Sequence, residues 1–227
     1  MDYTRRELGR LMLTSVPLAT LFPRIGSAMA KPNSTFAGVT VGMNVPYNFD
    51  PQMRAMPVDE VIAKTTQLNV SMVELRSQPI ERLMGAPVSA LQPARGAEKQ
   101  SAEDLRAWRL KMNPADAAKA RKQFDEAGIK IDIVKFDNIY NFTDPEMDYA
   151  FALAKAAGAR GISCELEADG VKRVGQFADK HNMPVGYHGH TKTPESMFKE
   201  AFAAATHNWA NLDIGHYIAG NLGDPVD

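Results

Sequence analysis

Carboxylate and imidazole side chains follow three consecutive apolar runs in the second half of the chain. One run ends at Glu165, the next is followed by His188 and His190, and the third contains Asp213 and precedes His216. Such side chains bind divalent Mn, Co, Zn or Mg. An ion of this kind can hold two neighbouring oxygens of a sugar, while a nearby carboxylate removes a proton from the carbon next to a carbonyl. The residue types therefore indicate proton transfer beside a carbonyl, as in aldose–ketose isomerisation or epimerisation.

The spacing predicts which of these residues share a face. Side chains alternate across a strand, so His188 and His190 are expected on one face, and Glu165 and Glu167 on one face. Asp213 is expected to point inward from a sixth strand, because its apolar neighbours would face a helical layer. An inward acid is costly unless it has partners, which favours a ligand or catalytic role.

Several of these residues also have a structural interpretation. A single glutamate at a strand end, such as Glu167, is more often a surface or salt-bridge residue. His181 and His207 lie near helix ends and are expected to be hydrogen-bonded structural residues. Cys164 is expected to be a buried small apolar residue. The cluster at three adjacent strand ends is more informative than any one of its members.

Two basic residues end earlier apolar runs. Arg76 and Lys135 follow the segments that are predicted as the second and third strands. We expect them to be substrate contacts, and a salt bridge at the barrel mouth is an equally good interpretation.

The elements that must position these residues form a repeating pattern. Six short apolar runs are predicted as strands, at residues 38–43, 72–75, 131–136, 160–165, 184–188 and 210–214. Amphipathic stretches are predicted as helices, at residues 58–68, 102–127 with a break near Asn113, 144–157, 170–181 and 194–206. A polar insertion is predicted at residues 77–100. Strands that alternate with helices favour a parallel sheet under helical cover, whose ligands bind at the carboxyl ends of the strands.

Four segments resemble the sugar phosphate isomerase/epimerase family, which has the xylose-isomerase-like barrel. Residues 211–216 (NLDIGH) are similar to the LDxGH segment of that family, and residues 185–191 (VGYHGHT) resemble the segment one βα unit earlier. Residues 73–76 and 132–135 resemble its second and third strands. The resemblance runs from about residue 40 to the end of the chain.

The resemblance implies an α/β fold, a (β/α)8 TIM-type barrel with a divalent metal ion at its mouth. It implies that Asp213 is a metal ligand and that His216 binds the metal or contacts the substrate. The family often has a glutamate on strand five as ligand and base, where this chain has His188. Either His188 replaces that glutamate or Glu165 supplies the carboxylate, with His190 nearby. The expected site then has catalytic residues Glu165 and His188, metal ligands Glu165, His188, Asp213 and His216, and substrate contacts His190, His216, Arg76 and Lys135.

The number of strand–helix units is smaller than in a whole barrel of this type. Six βα units are predicted, and residues 31–227 fall short of the about 250 residues of a typical (β/α)8 barrel. The family carries a further metal-binding histidine on strand seven and usually a glutamate on strand eight. We therefore expect a barrel that is C-terminally incomplete after about six βα units.

The first thirty residues have the pattern of an export signal. Arg5 and Arg6 open a basic stretch, an apolar run follows at residues 11–22, and Ala28 and Ala30 fit a cleavage site. The adjacent arginines resemble the signal of the twin-arginine pathway. A frayed amphipathic helix is the alternative. We expect a signal peptide at residues 1–30, a barrel at residues 31–227 and a periplasmic or otherwise exported location, with a cytoplasmic one as the alternative.

Composition excludes several classes of partner and fold. Lys+Arg 26 and Asp+Glu 27 give a net charge of -1, which offers no electrostatic basis for binding nucleic acid. No window approaches the ~20 apolar residues of a membrane span. A single cysteine excludes a disulfide within the chain. The expected partner is a small carbohydrate, and the sequence leaves a homo-oligomer open.

Four functions fit these patterns. The first is a metal-dependent isomerase or epimerase of a sugar or sugar derivative. The second is a lyase or hydrolase that acts on oxidised (3-keto) glycosides with the same barrel and metal. A metal-dependent nuclease of the apurinic-site type shares the fold, but the near-zero charge counts against it. The fourth is a non-catalytic or degenerate sugar-binding barrel. No glycine-rich phosphate loop is visible in the sequence, which disfavours a phosphorylated sugar.

Overall fold

A computed structural model describes residues 30–224. The predicted export signal lies outside the described residues except for Ala30. The strands are β1 (Thr35–Phe36), β2 (Val39–Thr40), β3 (Met43–Val45), β4 (Met72–Arg76), β5 (Lys130–Lys135), β6 (Gly161–Glu165), β7 (Val185–His188) and β8 (Asn208–Asn211). The helices are α1 (Val58–Gln67), α2 (Ser77–Leu83), α3 (Val88–Leu91), α4 (Glu98–Arg109), α5 (Ala118–Ala127), α6 (Asp144–Ala156), α7 (Val171–His181), α8 (Glu195–Ala204) and α9 (Ile214–Ala219), with 3-10 turns at Pro114–Ala117 and Ile139–Asn141.

The parallel sheet has its strands in sequential order. Strands β3 to β8 form one six-stranded sheet in which each strand pairs in parallel with the next, and β1 and β2 form a separate antiparallel hairpin. At least one helix lies between each pair of successive strands of the sheet. This order is that of a TIM-type barrel. The predicted α/β class is confirmed, with six of the eight strands of a (β/α)8 barrel in the described residues.

The core lies between the outer face of the sheet and the helices. Alternate side chains along β4 to β7 are almost completely buried on that face: Val73, Leu75, Val134, Ile162, Val185 and Tyr187. Their neighbours in the strands point the other way, into the barrel, because successive side chains alternate. The apolar alternation therefore assigns Glu74, Arg76, Lys135, Glu165 and His188 to the barrel interior.

Local sequence explains where several helices begin and end. Helix α6 begins with a capping box, in which Thr143 and Glu146 bond reciprocally, and Pro145 occupies its first turn, where no N–H is needed. Helix α5 ends at Gly128, whose φ of 77° places it in the left-handed region that glycine adopts without steric cost. Both boundaries agree with the sequence prediction.

The structure corrects two predicted elements near the amino-terminal half of the sheet. The strand predicted at residues 38–43 is wrong, because Ala37 and Gly38 both have positive φ and turn the chain into the β1–β2 hairpin. The first parallel strand is β3, which begins at Met43. The predicted polar insertion contains α2 and α3. Helix α2 begins directly after β4 and carries Pro79 in its first turn, where the missing N–H costs no hydrogen bond.

No helix within residues 30–224 is both long and apolar enough to cross a membrane.

Candidate active site

The register of the parallel strands brings polar side chains to one level at the carboxyl end of the barrel. Arg76 pairs with Lys135 between β4 and β5, and Glu165 pairs with His188 between β6 and β7. His188 in turn pairs with Asn211 of β8. A cavity of ≈ 560 Å³ opens at this level. It is lined by all seven residues that the sequence predicts for the site: Arg76, Lys135, Glu165, His188, His190, Asp213 and His216.

Three imidazoles converge in this cavity. His188 ends β7, His190 lies in the loop that follows, and His216 lies in the first turn of α9. Their ring centroids are 4.8 Å apart for His188 and His190, and 4.9 Å apart for His190 and His216. One ring nitrogen from each lies within 4.8 Å of the others. The predicted common face of His188 and His190 is therefore present, and α9 adds a third ring to it.

Glu165 connects this cluster to a buried lysine. Its Oε1 accepts a hydrogen bond from Lys135 Nζ at 2.6 Å, and its Oε2 lies 2.7 Å from His190 Nε2. His188 Nε2 lies 4.0 Å from the same oxygen. Burial raises the pKa of Glu165, but the hydrogen bond and charge of Lys135, together with the two histidines, outweigh it and lower the pKa below its ordinary value. Glu165 is therefore ionised at neutral pH.

His188 is held in its neutral form. Burial lowers its pKa, and the charges of Lys135 and His190 act in the same direction, while the carboxylate of Glu165 opposes them. The net direction is downward from the ordinary value of 6.5. At neutral pH the ring therefore keeps a lone pair that can bind a cation or accept a proton.

Asp213 occupies a different position from the one predicted. Strand β8 ends at Asn211, and Asp213 is the N-cap of α9, where its Oδ1 accepts the backbone N–H of His216 at 2.8 Å. This hydrogen bond lowers the pKa of Asp213. The predicted sixth strand through residue 214 is wrong in this respect, and Leu212 and Ile214 are exposed to solvent rather than packed under helices. The cap fixes the first turn of α9 and with it the position of His216.

Both basic residues of the cavity are already paired with carboxylates. Arg76 Nη1 donates to the two carboxylate oxygens of Asp137 at 2.7 and 2.5 Å, and the Tyr47 ring lies 5.1 Å from its guanidinium carbon. Lys135 is paired with Glu165, and its side chain is only 4% exposed. The salt-bridge interpretation of these two residues is therefore correct, and both also line the cavity.

Glu74 is a cavity residue that the sequence reasoning did not select. It lies on β4, and its Oε1 accepts hydrogen bonds from Ser163 Oγ of β6 and, at 3.3 Å, from Asn211 Nδ2 of β8. Its Oε2 accepts from Asn44 Nδ2 of β3 at 3.3 Å. The signal that could have found it is the alternation of β4, whose apolar residues on either side of Glu74 are completely buried.

The residues that are predicted to have structural roles lie outside the cavity. Glu167 is exposed, does not line the cavity and does not share a strand face with Glu165, because β6 ends at Glu165. His181 and His207 each lie 2.7 Å from an aspartate of a helix, and Cys164 is 1% exposed. The structural interpretation of these last three residues is confirmed.

The side chains present are of the types that hold a divalent cation. Three imidazoles and a carboxylate are ligands for Zn, Mn or Co. A cation about 2.1 Å from each ring nitrogen requires these nitrogens to lie about 3–4 Å apart. The three histidine nitrogens lie within 4.8 Å of one another, so side-chain shifts of about 1 Å or less would bring them to this separation. Nε2 of His190 cannot bind a cation while it is hydrogen-bonded to Glu165, so binding through that atom would free the Glu165 oxygen.

Comparison with solved structures places the fold. A probable 3-DHS dehydratase of Bacillus anthracis, involved in petrobactin synthesis, matches with a TM-score of 0.54 and 12% identity over 83% of this chain and 68% of that one. A xylose isomerase domain protein of Planctomyces limnophilus matches with a TM-score of 0.50 and 12% identity, over 83% and 66% of the two chains. A sugar phosphate isomerase/epimerase of Parabacteroides distasonis gives 0.48 and 14%, over 89% and 74%.

The first two of these likenesses show the fold. The chain has the parallel α/β barrel architecture of xylose-isomerase-domain proteins and spans about two thirds of the length of those two structures. No family model matches the sequence, and no curated protein matches it. The fold that the LDxGH segment and its neighbours predict is confirmed.

Proposed function

We propose that this barrel carries a metal-dependent isomerase or epimerase activity on a sugar or sugar derivative, by proton abstraction next to a carbonyl. The observation that carries the proposal is the convergence of three imidazoles beside Glu165 at the carboxyl ends of parallel strands. This edge is where barrels of this type bind their ligands. The structural likeness to xylose-isomerase-domain proteins supports the proposal at the level of fold.

The residues assigned to the cation are His188, His190 and His216, with Glu165 or Asp213 completing the set. All five line one cavity. A divalent cation held there would supply a Lewis acid that polarises the carbonyl of the substrate. His188 suits this role because burial keeps its pKa low and its ring neutral.

Glu165 is assigned as the base. Its carboxylate is ionised at neutral pH and 36% exposed, so a substrate in the cavity can reach it. Proton removal from carbon needs such a positioned carboxylate. Lys135 Nζ lies 2.6 Å from Glu165 Oε1, where it would favour the negative charge that develops on the substrate oxygen as the proton leaves.

A second candidate is a lyase or hydrolase that acts on oxidised (3-keto) glycosides. A further cavity of ≈ 440 Å³ is lined by Asp137, which is bonded to Arg76 of the first cavity. In this candidate the leaving group of the glycoside would lie on the Asp137 side of the first cavity. Both candidates begin with the same proton abstraction by Glu165, and they differ in whether a bond to a leaving group then breaks.

Hydrogen–deuterium exchange tests the proposal. The Mn²⁺-loaded chain is incubated in D₂O with a panel of ketoses, aldoses and 3-keto glycosides, and incorporation of deuterium at the carbon next to the carbonyl is followed by NMR. Deuterium in a ketose or aldose supports the isomerase or epimerase. Release of an aglycone from a 3-keto glycoside supports the second candidate, and no incorporation in any member of the panel contradicts both.

A further inference from the structure

Two polar atoms at the β3–β4 side of the cavity are buried without a hydrogen-bond partner among the described residues. They are Asn44 Oδ1, an acceptor, and Arg76 Nε, a donor. Both side chains line the cavity. A buried polar atom without a partner is unfavourable, and each such atom in a folded protein calls for an explanation. A ligand that supplies both a donor and an acceptor provides one, once shifts of the Asn44 and Arg76 side chains bring the two buried atoms to the cavity surface.

The chemistry of the two atoms selects among ligand groups. A hydroxyl donates one hydrogen bond and accepts others, so sugar hydroxyls can satisfy both Asn44 Oδ1 and Arg76 Nε. A phosphate or carboxylate is mainly an acceptor at neutral pH and leaves the oxygen of Asn44 without a donor. The pair therefore fits hydroxyl groups better than an anion.

The charges around Asn44 and Arg76 also disfavour an anionic ligand. Arg76 is already bonded to both oxygens of Asp137, which offset its charge, while the more exposed Arg54 lies 3.9 Å from the same carboxylate. Glu74, bonded to the amide of Asn44, receives hydrogen bonds from Asn44, Ser163 and Asn211, which are all neutral donors. An anionic group beside Asn44 would meet this carboxylate, and like charges in a partly desolvated site repel strongly.

We propose that Asn44 and Arg76 form a hydroxyl-binding subsite, and that the substrate is an uncharged sugar rather than a sugar phosphate or sugar acid. This inference rests on the proposed function and names its substrate class. Asp137 is the specificity-determining residue of this subsite, because its carboxylate offsets the charge of Arg76 that would otherwise attract a phosphate. The side chain of Tyr47 lies over the guanidinium and helps to keep it in place.

Calorimetric titration tests the subsite with defined probes. D-fructose, D-tagatose and their 6-phosphates are titrated into the Mn²⁺-loaded chain. We expect the free sugars to bind at least about 10-fold more tightly than their phosphates, since like-charge juxtaposition suppresses wrong ligands. Tighter or equal binding of the phosphates would overturn the inference, and so would the absence of binding by all four probes.

Two variants test the residues. Asp137→Asn frees the guanidinium of Arg76, so the affinity for the 6-phosphates should rise at least about 5-fold while that for the free sugars changes little. Asn44→Leu removes the acceptor and should weaken binding of the free sugars by about 5–10-fold without changing bound Mn²⁺. Asp116→Asn makes the same chemical change on an exposed carboxylate paired with Lys119 and serves as the matched control. Unchanged phosphate affinity in folded Asp137→Asn contradicts the role of Asp137.

Failure of the subsite and failure of the proposed function give different results. If Mn²⁺ binds and deuterium exchanges but the phosphates bind best, the hydroxyl subsite is wrong and the function stands. If no Mn²⁺ binds, the same titrations of the metal-free chain still rank free sugars against phosphates. A preference for free sugars then supports the subsite while the proposed function fails.

Discussion

Asn211 Nδ2 donates a hydrogen bond of 3.3 Å to Glu74 Oε1, although 137 residues separate the two side chains. Strands β4 and β8 are not neighbours in the sheet, so the bond crosses the interior and the sheet must curl to allow it. The same carboxylate accepts from Ser163 of β6 and Asn44 of β3. Glu74 therefore connects four strands within the cavity of the candidate site.

Replacement of Glu74 tests this interior network. Glu74→Gln turns an acceptor-only carboxylate into a group with an NH₂ that faces other donors, so at least one buried hydrogen bond is lost. We expect the free energy of unfolding to fall by about 1–3 kcal/mol. Denaturant unfolding measures it, with Glu103→Gln on the exposed face of α4 as the control, expected within about 0.5 kcal/mol of the parent. Equal stability of the two variants would show that the network contributes nothing.

The buried ion pair of Glu81 and Arg109 gives a second stability prediction. Arg109 Nε lies 2.7 Å from Glu81 Oε1, and both side chains are nearly inaccessible. Arg109→Met takes the arginine partner away from the buried carboxyl group of Glu81, which should cost about 3–5 kcal/mol. The double variant Glu81→Leu with Arg109→Met removes both charges and should be more stable than the single variant. A double variant that loses as much free energy of unfolding as Glu81→Leu and Arg109→Met lose together would contradict this account.

The strands were predictable because their signal is local. Apolar runs with buried alternate residues, such as Val73 and Leu75 around Glu74, fix both a strand and its inward face. Strand order then follows from the helical connections, which place successive parallel strands side by side. This is why seven residues chosen from sequence line one cavity in the structure.

Other features depend on information that the local pattern does not carry. In the sequence Asp213 lies within an apolar run, which predicts a strand. In the structure it caps α9, because the hydrogen bond from the His216 N–H to its side chain competes with continuation of the strand. The β1–β2 hairpin depends on the left-handed conformation of Ala37, which its residue type does not predict. The role of Glu74 depends on donors from three other strands, which only the folded chain brings together.

The stability of the protein in acid should depend on the carboxylate of Asp148, which is bonded to Lys180 and His181 of α7. Burial raises the pKa of Asp148, but the hydrogen bonds and charges of these two residues outweigh it and lower the pKa below its ordinary value of 3.8. The contribution to stability is therefore present above that value and is lost as the pH falls through the lower pKa of the folded state.

Asp148→Asn should remove this pH-dependent contribution. At neutral pH and low salt the loss should be about 0.2–1 kcal/mol, because the pair is exposed to solvent. The difference between variant and parent should shrink as the pH falls through the lowered pKa of Asp148 in the folded state. Unfolding free energies measured across this range test it, and a constant difference at all pH values would contradict the assigned cause.

The assignment of Glu165 as the catalytic base leads to a kinetic prediction. Glu165→Gln should lower the rate of deuterium incorporation by at least about 100-fold, since the amide cannot accept the proton. Glu167→Gln makes the same change two residues away on an exposed side chain that does not line the cavity, and should leave the rate close to that of the parent. Equal losses in both variants, or none in Glu165→Gln, would exclude Glu165 as the base.

The central claim is a cation site formed by the imidazoles of His188, His190 and His216, and bound metal tests it most directly. The chain is loaded with Mn²⁺ or Zn²⁺, dialysed and examined by elemental analysis, alongside His216→Ala and the control His207→Ala, whose ring is bonded to Asp179 instead. We predict near-stoichiometric metal in the parent and in His207→Ala, and a large loss in His216→Ala. A folded parent without metal, or equal metal in both variants, would contradict the account.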